Sequence, residues 1–143
     1  MERQALHSSD QITLTGIRFI IDGLLKARRY DDIGQLPGFS LIDRAENRPG
    51  ADCDVYVFGA VELIRPGKEN VHAHYKQVDK PEAGDIVFYY DADGNWQHTG
   101  LASGPETVVS KFGLAHVYEH PVNAVPTFYG NTVKFYRNPV RGT

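Results

Sequence analysis

The chain predicts an α+β fold on three observations. An apolar helical period lies near the N-terminus, a second helical period opens at Cys53, and the C-terminal half switches to short strand-like runs. The first period covers residues 8–29, where Ile17, Ile20, Ile21, Leu24 and Leu25 share a face. Ser8 and Gln11 are placed for a capping box, and Lys26, Arg28 and Arg29 gather at the end where the helix dipole favours cations. Residues 31–50 have the composition of a linker: Asp31-Asp32, Leu36-Pro37-Gly38-Phe39, then Asn47-Arg48-Pro49-Gly50. The second helix starts at Cys53, carries Tyr56, Val57, Ala60, Val61 and Ile64 at helical spacing, and stops before Pro66-Gly67. Strands are expected at Ile86–Tyr90, Trp96–Ala102, Thr107–Lys111 and Thr132–Arg137, the first two joined by the turn Asp91-Ala92-Asp93-Gly94-Asn95. The expected organisation is one compact domain, with residues 1–45 as a helical extension and linker and 46–143 as the core.

A chain of 143 residues with 41% apolar and 23% charged residues is ordinary for one globular domain. The net charge of −3 and the lack of a basic run give no expectation of nucleic acid or an anionic membrane as partner. The apolar stretch from Ile12 to Leu25 is broken by Thr13, Thr15, Arg18 and Asp22, so it is not expected to cross a bilayer. Met1-Glu2-Arg3-Gln4 does not open like a secretory signal, and the lone cysteine has no internal disulfide partner. The expected location is therefore cytoplasmic as synthesised, with export by a signal-independent route left open.

Cys53 is the one cysteine, and the first turn of a helix is where unpaired N–H groups and the dipole stabilise a thiolate. A thiol nucleophile needs an imidazole to shuttle its proton and a polar group to orient that imidazole. His98 lies on an expected strand with Gly100 and Ala102 on the same face, small neighbours that leave room for an approaching group. Hairpin counting from Gly104-Pro105 brings Ser110 or Lys111 near His98 across the strands, so Ser110 or the more distant His120, expected in a loop, is the candidate orienter. Lys111 reads as a solvated partner of Glu106 or Glu119, and Trp96 as a rim residue. His72 and His74 have a metal-ligand spacing without an identifiable third ligand, so no metal or cofactor is expected.

Three ordered blocks resemble the NlpC/CHAP superfamily of papain-like peptidases and amidases. They are Asp52-Cys53 at a helix start, Lys80-Pro81-Glu82-Ala83-Gly84-Asp85-Ile86-Val87-Phe88-Tyr89, and His98-Thr99-Gly100-Leu101-Ala102. Ser110-Lys111-Phe112-Gly113, Glu119-His120-Pro121 and Tyr129-Gly130 resemble a bacterial branch of it. The resemblance implies a papain-like core, with the nucleophile helix packed on an antiparallel sheet, Cys53 as nucleophile and His98 as base. It also implies a peptide or amide substrate, cell-wall peptides being the commonest in the superfamily. The chain departs from the pattern where Asp-Cys-Ser-Gly becomes Asp52-Cys53-Asp54-Val55 and Pro-Gly-Asp becomes Ala83-Gly84-Asp85; the two flanking carboxylates oppose a thiolate by like charge. The expectation is thus a cysteine hydrolase, the alternative a non-catalytic binding module on the same fold, and a weaker third a histidine metal site.

Overall fold

The computed structural model describes residues 10–44, 74–113 and 115–139. Within them the fold is α+β: helix α1 (Asp10–Lys26), a short helix α2 (Tyr30–Ile33) and seven strands. The strands are β1 (Ser40–Asp43), β2 (Lys76–Val78), β3 (Ile86–Tyr90), β4 (Trp96–Ala102), β5 (Thr107–Lys111), β6 (Val117–Pro121) and β7 (Thr132–Arg137), and a 3₁₀ turn spans Thr127–Tyr129. They form one open antiparallel sheet in the order β1-β6-β5-β4-β3-β7-β2. The helix expected from Cys53 and the Ser8–Gln11 capping box lie outside the described residues.

Strands β3, β4, β5 and β7 match the expected bounds. Residues 30–44 do not behave as a linker: they supply α2 and the edge strand β1, whose Ser40 and Leu41 pair with Glu119 and Tyr118. A short strand at Lys76–Val78, pairing with β7, was also not anticipated.

Alternation divides the sheet into two buried faces. One carries Val87, Tyr89, His98, Ala102, Val108, Ser110, Phe112, Tyr118 and His120, and α1 packs over it through Leu14, Ile17, Ile21, Leu24 and Leu25. Ile20, expected on that apolar face, points outward and Leu14 takes its place. The other face carries Ile86, Phe88, Tyr90 and Tyr136, with Tyr75, Trp96 and Leu101 against them. Helix α1 ends in a Schellman arrangement, the amide of Arg29 reaching Leu24 O and that of Arg28 reaching Leu25 O, and Arg28 takes the left-handed conformation usually given to glycine.

Two of the sequence blocks have structural explanations. In Gly84-Asp85, Gly84 adopts φ 96°, and its amide and the Asp85 carbonyl extend the ladder to Ala102. The buried Asp85 carboxylate accepts from the Glu82 amide (2.7 Å) and from Arg137 through Nε (3.0 Å) and Nη2 (2.8 Å). That pair joins the start of β3 to the end of β7. In Tyr129-Gly130, Gly130 has φ 89°, and a Cβ there would lie 2.1 Å from Tyr90 O and 2.7 Å from the Asp91 Cα. Gly94, also at positive φ, faces open space. Gly130→Ala is therefore expected to cost about 2–4 kcal/mol from strain and overlap together, and Gly94→Ala only about 1 kcal/mol. Urea unfolding of both variants checks this, and equal costs at the two positions would refute the close-approach explanation.

Candidate functional site

His98 is the centre of the site. It faces Tyr89 across β3, is fully buried, and lies inside a box of aromatic rings. Tyr129 stacks flat on it at 4.0 Å between centroids and 10° between planes, Tyr89 is tilted at 5.3 Å, and Phe112 meets it edge-on at 5.9 Å. Among the described residues neither ring nitrogen has a hydrogen-bond partner. Burial holds this imidazole well below its ordinary pKa, and neighbouring His120 pushes in the same direction, so the ring is neutral.

Strand pairing of Leu101 with Val109 and Ala102 with Val108 sets Ser110 opposite Gly100, one step along from His98. The absence of a side chain at Gly100 does not leave room for an incoming molecule. A Cβ there would meet Val108 Cγ1 at 2.5 Å and Ser110 Cβ at 3.2 Å, so Gly100 makes space for β5.

Ser110 and His120 come together with each other rather than with His98. Ser110 Oγ lies 2.7 Å from His120 Nε2, and His120 Nδ1 lies 2.7 Å from Pro121 O. A carbonyl only accepts, so Nδ1 carries the proton and Nε2 accepts from the Ser110 hydroxyl. His120 is not a loop residue: it sits on β6 opposite Val108, fully buried, with its ring 5.7 Å from Phe39 and 5.0 Å from Phe112. Burial lowers its pKa to about 4, so it too is neutral. Ser110 and His120 thus form a saturated pair inside the core, and neither hydrogen-bonds to His98.

One smaller expectation also changes. Lys111 is fully buried rather than solvated, and its Nζ donates to Gly113 O. Trp96 is half-buried and donates from Nε1 to Thr99 Oγ1 (3.0 Å). Cys53 and His72 lie outside the described residues, and no group of three or more potential metal ligands occurs among the described ones.

The part of the site that sequence reasoning missed is Tyr129 and what holds it. A cleft of about 240 Å³ opens next to Gly130, lined by Leu14, Arg18, Tyr89, Asn123, Val125 and Asn131, and one of its lining residues, Tyr89, also contacts His98. The Tyr129-Gly130 pair was visible as a tail motif, but nothing in its spacing indicates a stack on His98. No helix among the described residues is long and apolar enough to cross a membrane. Comparison of the chain with family models, curated proteins and solved structures gave no match.

The buried imidazoles carry a pH signature. A histidine whose folded pKa lies below its unfolded value of 6.5 contributes stability that is fully present above pH 6.5 and is lost as pH falls through the folded value. For His120 the loss spans pH 6.5 to about 4 and amounts to about 3 kcal/mol, with His98 adding in the same direction. Denaturant titrations across this range are expected to show the decline; flat stability would mean the rings are not buried neutral. Ser110→Ala, which leaves Nε2 of His120 without its donor, is expected to cost about 1–3 kcal/mol at neutral pH.

Proposed function

We propose that the protein is a cysteine hydrolase of papain-like type acting on an amide or peptide bond, with Cys53 as nucleophile and His98 as base. The observation that carries this is His98: a buried, neutral imidazole with both nitrogens unbonded among the described residues, whereas buried His120 has both of its nitrogens hydrogen-bonded and buried His116 holds Asp31 through Nε2. Buried polar atoms left unpaired are costly, and their persistence points to a role. The order of Cys53, the strand block ending at Tyr89 and the His98 block supports the same reading, as does the antiparallel sheet that presents His98.

In this mechanism His98, neutral at rest, accepts the Cys53 thiol proton as the sulfur attacks the carbonyl carbon. Backbone N–H groups near Cys53 hold the oxyanion. Collapse of the tetrahedral adduct breaks the C–N bond, and His98 returns its proton to the departing amine. A water then attacks the thioester carbon while His98 accepts one of its protons; collapse of the adduct breaks the C–S bond, His98 returns that proton to the departing sulfur, and the carboxylic acid and free Cys53 thiol are restored. Asp52 and Asp54 beside Cys53 favour the thiol over the thiolate at rest, which suits a neutral base better than a standing ion pair. The superfamily resemblance makes cell-wall peptides the first substrates to try.

A second reading, a binding module on the same fold, draws on one observation: His98 has no exposed surface and no orienting hydrogen bond among the described residues. Thiol chemistry separates the two. Iodoacetamide is expected to alkylate Cys53 at least tenfold faster in the wild type than in His98→Ala near neutral pH, as for base-assisted thiols. An unreactive Cys53, or equal rates in both proteins, supports the binding module and removes the hydrolase.

A further inference from the structure

Among the described residues, His98 lacks the hydrogen-bonded orienter that a thiol–imidazole pair ordinarily has, yet its ring lies flat against that of Tyr129, 4.0 Å between centroids and 10° between planes. Tyr129 in turn is held from the far end of the chain. Arg18 of α1 spreads its guanidinium over the loop 125–131. Nε donates to Val125 O (2.9 Å), Nη2 to Pro126 O (3.2 Å) and Gly130 O (2.8 Å), and Nη1 to the Asn131 side chain. One turn further along the helix, Asp22 caps the 3₁₀ turn of the same loop. Its Oδ1 accepts from the Thr127 amide (2.9 Å) and its Oδ2 from the Thr127 hydroxyl. The turn's own N-cap residue, Pro126, provides no side-chain cap, so the cap comes from α1.

The loop is pinned on its other side by Gly130, whose backbone lies against Tyr90 and Asp91 so closely that no side chain fits. Tyr129 sits between the helix clamp and this contact, with its ring stacked on the imidazole. We propose that Arg18 and Asp22 are positioning residues for His98, clamping the 125–131 loop so that Tyr129 fixes the plane of the imidazole ring. In chemical consequence this rests on the Cys53–His98 hydrolase reading, with a stacked ring face taking the part of the missing polar orienter.

Among the described residues, the groups facing His98 are the Tyr89 phenol from β3, Phe112 after β5, His120 from β6 and Tyr129 from the loop. Burial raises the Tyr89 phenol and lowers His120, so none of these is charged at neutral pH. Among the described residues none of these groups is a carboxylate, so the orientation they supply is steric. The clamp itself demands a fork: the guanidinium makes four bonds to four acceptors, a pattern that a lysine ammonium does not reproduce.

The test uses the full chain and two readouts. The first is the upfield ring-current displacement of the His98 ring protons in NMR spectra. The second is the His98-dependent rate of Cys53 alkylation by iodoacetamide. Arg18→Ala, Asp22→Ala and Tyr129→Leu are expected to remove most of the displacement and to slow alkylation about tenfold or more. Asp22→Asn, which can still accept from the Thr127 amide, is expected to restore both relative to Asp22→Ala. Far-UV circular dichroism confirms that each variant is folded, and if Arg18→Ala is not, the other two carry the test. Unmoved His98 resonances in folded Asp22→Ala and Tyr129→Leu overturn the inference. Resonances that move while wild-type alkylation never depended on His98 uphold the clamp and remove the hydrolase.

Discussion

Two imidazoles have to be kept uncharged inside an aromatic interior, and the rest of the described structure is arranged around that constraint. His120 meets it with hydrogen bonds, accepting from Ser110 and donating to Pro121 O, which fixes its tautomer. His98 meets it by enclosure, with Tyr89, Phe112 and Tyr129 removing it from water. Desolvation disfavours the charged form in both rings, but among the described residues only His120 also has hydrogen-bond partners. The difference between these two solutions is what distinguishes a structural histidine from a candidate catalytic one here.

Enclosing His98 sets requirements on distant parts of the chain. Gly100 lacks a side chain because Val108 and Ser110 occupy its position, which lets β5 sit close enough to bring Phe112 to the ring. The loop carrying Tyr129 must be pressed inward, so Gly130 abuts Tyr90, and Arg18 and Asp22 hold the other side. Helix α1 is thereby part of the core by packing, through Leu14, Ile17 and Ile21, and part of the site by hydrogen bonding. Tyr118, reaching Tyr30 O, and His116, whose Nε2 lies 2.8 Å from Asp31 Oδ1, fasten the segment after α1 to the sheet in the same way.

The central strands were legible because Ile86–Tyr90, Trp96–Ala102, Thr107–Lys111 and Thr132–Arg137 are rich in β-branched and aromatic residues and separated by turn residues. Strand β6 was not, because Glu119, His120 and Pro121 have the composition of a loop; its identity comes from pairing with β5 and β1. Without β6 the bond between Ser110 and His120 could not be derived, since it runs diagonally between neighbouring strands. Lys111 looked solvated because burial of a lysine is a tertiary event that local pattern does not encode. Arg18 and Asp22 read only as residues that break the apolar stretch from Ile12 to Leu25; their partners lie more than a hundred residues away, beyond any periodicity. His98 itself was identified from its strand and its small neighbours, although the space at Gly100 proved to belong to the sheet.

On the proposed reading, His98 is a neutral base kept for Cys53. The most direct test is the ring-nitrogen NMR spectrum of His98 at neutral pH, recorded before and after carboxamidomethylation of Cys53. A neutral imidazole is expected in the free protein, with clearly displaced ring resonances once the sulfur is capped. An imidazolium in the free protein, or resonances that do not move on capping, would contradict it.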